Sequence, residues 1–227
     1  MQNKLTFALT LLAATSAHAA IVFTVENAGV QQTSMSGTIT ESFNLLATGA
    51  LSAYTSQIGQ YSPGGVISNP NAWGGANQSL YIAVGAQSQT TSYTLDFGKD
   101  INFFGLNWQA GDNKNELRFF NDGNLVQAFT TSQVFATLPS AYSGNPNTGQ
   151  NKREKYAFFN FTGTEGTVFD QVMFYNNGTS TGFETDNHTI LRPNDPIIPT
   201  VESQVPEPAT FALVGFACIA LAARRRF

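Results

Sequence analysis

Ser92-Tyr93-Thr94-Leu95-Asp96-Phe97 sets Tyr93, Leu95 and Phe97 against Ser92, Thr94 and Asp96. Strict alternation fits a β-strand, whose successive side chains point to opposite faces, with the apolar face on a core. Gly98-Lys99-Asp100 then reads as a turn. Downstream, Ile101 to Trp108 and Glu116 to Phe120 are further strands, with Trp108 continuing the buried row of Phe104 and Leu106. Asn121-Asp122-Gly123-Asn124 before Leu125 to Phe129 is a hairpin signal, because Asp and Gly tolerate the positive φ of a tight turn. Tyr156 to Phe161 and Val168 to Tyr175 extend the series. In the last, Val168, Asp170, Val172 and Phe174 share one face and Phe169, Met173 and Tyr175 the other, so both faces carry bulk.

Bulk on both faces belongs inside two packed sheets, whereas a sheet packed on one side would alternate more cleanly. Ile21 to Val25 and Phe183 to Ile190 also read as extended, and long helical periodicity is absent. The sequence therefore predicts an all-β fold, an antiparallel β-sandwich of jelly-roll type whose first and last strands pair or lie close. Residues 139–155 read as an exposed insertion.

The two ends read differently. Lys4, the apolar run Leu5 to Ala14 and Ala17-His18-Ala19 supply the charged, apolar and small-residue parts of an export signal, so residues 1–19 are expected to be a signal peptide removed by signal peptidase after Ala19. Residues 20–191 are then the ectodomain, and 192–204, with Pro193, Pro196 and Pro199, a spacer. In residues 205–227, Pro206-Glu207-Pro208 precedes an apolar stretch from Ala209 to Ala223, closed by Arg224-Arg225-Arg226. The prolines stop a helix from extending backward, which leaves the apolar stretch free to form a short C-terminal helix. That stretch is shorter than the ~20 residues that comfortably span a bilayer. Basic residues after it favour a cytoplasmic end, with the ectodomain outside.

Pro206-Glu207-Pro208, the apolar stretch and the terminal arginines resemble a PEP-CTERM sorting signal. The resemblance implies an exported protein of a Gram-negative bacterium, held transiently in the membrane by its tail. It also implies an exosortase as processing partner, and delivery to the envelope surface or extracellular polymer matrix. A plain single-span anchor would give a similar exterior placement.

Between Ala20 and Gln204 fourteen Asp and Glu face seven Lys and Arg, a side-chain charge of about −7. This argues against nucleic acid as a partner, since phosphate recognition needs clustered basic residues. Lys152-Arg153-Glu154-Lys155 is the one basic run and reads as a solvated loop. Cys218 lies in the tail, so the ectodomain has neither a thiol nor a disulfide, and burial must stabilise it.

Gly182-Phe183-Glu184-Thr185-Asp186-Asn187-His188, with Phe169 to Phe174, resembles late strands of carbohydrate-binding jelly rolls, in which acidic residues hold structural calcium. Ca²⁺ takes six to eight oxygen ligands. Glu184 and Asp186 fall on one face of a strand, with Asn187 beside them and Glu26 as a further donor if the end strands pair. A solvated acidic edge that discourages strand addition is the competing reading. Trp73, in Asn69-Pro70-Asn71-Ala72-Trp73-Gly74-Gly75, is expected either to contact a ligand by stacking or to pack as a lid. Catalytic chemistry is sparse: His188 is the one histidine left after signal removal, and no Gly-x-Ser-x-Gly elbow presents a serine. The expected role is therefore non-enzymatic binding or structure, linked to exopolysaccharide or biofilm. The alternative is a carbohydrate-active hydrolase using Asp170, Glu184 or Asp186.

Overall fold

A computed structural model describes residues 20–191. The signal peptide, spacer, sorting tail and terminal helix expected from sequence lie outside these residues. Within them run strands β1 (Ile21–Val25), β2 (Thr38–Glu41), β3 (Gly49–Ala50), β4 (Tyr54–Thr55), β5 (Gln60–Tyr61), β6 (Val66–Ser68) and β7 (Tyr81–Gly85). They are followed by β8 (Ser92–Ile101), β9 (Phe103–Gly111), β10 (Asn115–Asn121), β11 (Asn124–Thr130), the single helical turn α1 (Thr131–Val134), β12 (Lys155–Gly163), β13 (Phe169–Asn176) and β14 (Gly182–Leu191).

The strands form two antiparallel sheets. The larger has the order β1-β12-β9-β14-β7-β6-β3, with β2 pairing the second half of β14, and the smaller has the order β11-β10-β13-β8-β5-β4. From β7 onward the chain crosses between sheets with each new strand, except at the β10–β11 hairpin. That hairpin carries the expected turn, with positive φ at Asp122 (48°) and Gly123 (75°) closing the Asn121–Asn124 pair.

Alternation decides the core. Phe104, Leu106, Trp108, Phe159, Phe161 and Phe183 point inward from the larger sheet. They meet Tyr93, Leu95, Phe119, Phe129, Phe169 and Phe174 of the smaller one. Edge-to-face pairs such as Phe119–Phe169, with centroids 4.8 Å apart, make this an aromatic core.

Several expectations change. Gly98 to Asp100 do not end β8; they form a bulge inside it, where Gln171 pairs with Asp96 but Phe169 already pairs with Ile101. The offset turns Phe169 into the core with Val172 and Phe174, while Gln171, Met173 and Tyr175 stay half-buried on the outer face. The larger sheet is the one covered on both sides. Its outer face carries Asn107, Gln109, Asn160, Glu184 and Asp186, all buried under loops. Residues 139–155 are part of that cover rather than a free insertion: Asn145 Nδ2 donates to Asn71 O at 3.0 Å and Asn147 Nδ2 to Gly75 O at 2.7 Å. The end strands do not pair, because β12 and β9 separate β1 from β14.

Candidate functional site

At one end of the larger sheet, the C-terminal ends of β7 and β9 and the N-terminal ends of β12 and β14 converge, as the pairs Gly182–Gly85 and Lys155–Gly111 record. A cleft of about 410 Å³ opens there, lined among others by Trp73, Gln87, Asp112, Glu154, Thr181 and Glu184.

Trp73 is 51% exposed, yet its loop is held firmly. Asn71 Oδ1 accepts from Trp73 N at 2.8 Å and Gly74 N at 3.2 Å, and its Nδ2 donates to Tyr81 Oη at 2.9 Å. Ala72 O accepts from Tyr156 Oη at 2.6 Å. An Asx turn with outside struts fixes the backbone beneath an indole that the core does not use. The indole is therefore not a lid packed into the core.

Glu184 forms the floor. It is 2% exposed and accepts a hydrogen bond from Gln87 Nε2. Burial pushes its carboxyl up to about 8, against the pull of Gln87 and with help from the charges of Asp112 and Glu154. Glu154 is also raised by burial, with Asn151 donating to it in opposition. A Cβ at Gly182 would overlap the Glu184 carboxylate and the Gln87 amide, so a larger residue there would have to push both side chains aside. Gln87 Oε1 and Thr181 Oγ1, both on the cleft wall, have no hydrogen-bond partner in the protein.

The expected calcium set is not brought together. Asp186 does share the outer face with Glu184, but its carboxylate is taken by Ala76 N (2.9 Å), Ser79 Oγ (2.6 Å) and Asn187 N (2.7 Å). Burial nonetheless lifts it to about 7 while these donors pull it down. Asn187 sits at a bulge with φ 49° and donates to Gln31 O. Glu26, just after β1, is separated from β14 by β12 and β9, and accepts from Ser34 and Asn160. Among the described residues, no three His, Cys, Asp or Glu side chains form a metal-holding group.

The residues named for hydrolysis are also divided. Asp170 is on the smaller sheet, where it accepts from Asp122 N at 2.9 Å; Asp186 is buried beneath the Ala76 loop, and Glu184 alone reaches the cleft. His188 is sealed in the core, its Nδ1 2.9 Å from Tyr61 Oη and its Nε2 2.9 Å from Thr185 Oγ1. Gln87, Asp112 and Glu154 escaped the sequence reading. Asp112 and Gln87 sit in ordinary turns, and Glu154 was masked by the basic residues around it. The sorting residues Pro206, Glu207, Pro208, Arg224, Arg225 and Arg226 lie outside the described residues. Among those that are described, no helix is long and apolar enough to cross a membrane.

Comparison with known proteins bears on the tail. Residues 204–226 match the PEP-CTERM protein-sorting motif. The motif implies export, exosortase processing and placement at the envelope surface. No curated protein and no solved structure matches the chain.

Proposed function

We propose that the chain is a surface or matrix protein whose β-sandwich, read as a jelly roll from its interleaved strand order, binds extracellular polysaccharide without cleaving it. The observation that carries this reading is Trp73, a half-exposed indole on a hydrogen-bonded loop beside a cleft whose lining mixes apolar surface with carboxylate, amide and hydroxyl groups. An aromatic face that stacks on a sugar ring, beside amide and hydroxyl groups that bond its oxygens, is the chemistry of carbohydrate recognition. The named lining holds Asp112, Glu154 and Glu184 and no Lys or Arg. That charge favours a neutral or amino-bearing glycan over a polyanion. The sorting motif supports the same setting, since it directs chains to where extracellular polymers are found.

The non-enzymatic part of the reading rests on His188, which is walled off from any substrate, and on the separation of Asp170 from the cleft. A hydrolase remains the second reading for one reason. Glu184, raised to about 8 beside two further carboxylates, has the protonation of a general acid at neutral pH. Incubating the protein with the host's extracellular polysaccharide and counting new reducing ends separates the two. Binding without release supports the proposal; release abolished by Glu184→Gln would replace it with the hydrolase.

A further inference from the structure

Strand directions give the sandwich two unlike poles. β14 runs from Gly182, where the cleft opens, to Leu191, where it pairs with Thr38. Nine steps at ~3.3 Å put these ends about 30 Å apart. β9 and β12 follow the same axis, with Gly111 and Lys155 at the cleft pole and Phe104 and Gly163 at the other. β1 begins at that second pole, where Ile21 pairs with Gly163. Ala20 O is fixed there by Thr164 N and Thr164 Oγ1, both at 2.9 Å. The described chain thus enters and leaves at one pole, while the cleft occupies the other.

Leu191 is separated from the matched sorting motif only by residues 192–203. We infer that, while the tail is held at the membrane, the sandwich stands with its chain ends toward the bilayer and presents the Trp73–Glu184 cleft outward to extracellular ligands. The functional meaning of this orientation rests on the polysaccharide-binding reading, but the orientation itself follows from topology and the motif. A site at the tether pole would face the bilayer across a short connection. At the far pole it meets polymer before and after tail removal, so binding does not wait for processing.

The test uses the full chain with its tail retained, carrying Cys218→Ser so that one introduced thiol is labelled, in vesicles of phosphatidylethanolamine and phosphatidylglycerol. Asn113→Cys marks the cleft pole, on the exposed turn after β9, and Asp100→Cys the tether pole, on the exposed end of β8. Lys99→Cys, also exposed, replaces Asp100→Cys should that variant fold poorly. Energy transfer to an acceptor lipid is expected to be severalfold stronger from position 100 than from position 113. Equal transfer, stronger transfer from 113, or no association with the vesicles would overturn the inference. Transfer in the expected order with no polysaccharide bound would keep the orientation and remove the ligand reading.

Discussion

His188 lies flat on Phe174, their ring centroids 4.6 Å apart and their planes within 7°. Phe174 comes from the smaller sheet and His188 from the larger, so this stack joins the two across the core. The imidazole is fully buried and keeps both nitrogens bonded, which explains a polar ring in an aromatic interior. Tyr61→Phe removes the partner of Nδ1 and is expected to destabilise the fold by about 1–3 kcal/mol. Denaturant unfolding of the two proteins measures this.

Stability should peak on the mildly acidic side. Burial lowers His188 from 6.5 to about 3, so its contribution is complete above pH 6.5 and is lost as pH falls toward 3. Glu184 and Asp186 act in the opposite sense. Their folded values, about 8 and about 7, exceed the ordinary 4.5 and 3.8. Their contributions are present below the ordinary values and are lost as pH rises through the folded ones. Thermal melts from pH 3 to 9 are expected to give a maximum at about pH 4, a decline that begins above pH 4.5 and steepens past pH 6.5, where His188 no longer offsets it, and a plateau above pH 8. A Tm still rising at pH 8 would contradict the assignment.

Glu184→Gln mimics the protonated carboxyl and should remove its share of that decline. At pH 8.5 the variant is expected to be more stable than the parent by roughly 1–3 kcal/mol, and nearly equal to it at pH 4, below the ordinary value of 4.5. Paired melts at the two pH values check this.

Asn71 supports the cleft without lining its named wall. Asn71→Ala removes the side-chain bonds to Trp73 N, Gly74 N and Tyr81 Oη. The expected result is a stability loss of about 1–2 kcal/mol and weaker polysaccharide binding, because the indole is no longer held in place. Binding that matches the parent would show that the loop's order is irrelevant to the site.

Processing gives a separate prediction. Intact mass of the protein from its host should show a chain beginning at Ala20, with the tail near Pro206-Glu207-Pro208 lost only when exosortase is present. A tail retained in both strains would make it a conventional membrane-anchored protein.

The long strands were legible in the sequence because each carries enough period-2 pattern to declare itself: Tyr93, Leu95 and Phe97 in β8, or Phe104, Leu106 and Trp108 in β9, all buried as their alternation predicts. Strands β3 to β6 were not, since two or three residues hold no period, and their pairing comes from neighbours distant in sequence. The bulge in β8 looked like a turn because glycine at positive φ serves both. At the site, Trp73 and Glu184 drew notice by residue type and pattern. Asp112, Glu154 and Gln87 reach them only through strand register, which brings Gly111, Lys155, Gly85 and Gly182 to one pole. Glu26 as a calcium donor needed β1 beside β14, an adjacency that local sequence does not encode.

The most direct test is a binding isotherm of the protein with the host's extracellular polysaccharide, comparing the parent with Trp73→Ala. Losing a stacking indole at the site predicts affinity weaker by roughly tenfold, with an unfolding free energy unchanged within ~0.5 kcal/mol because the side chain is surface-exposed. Superimposable isotherms, or no binding by the parent, would contradict the claim that this cleft is where the protein meets its ligand.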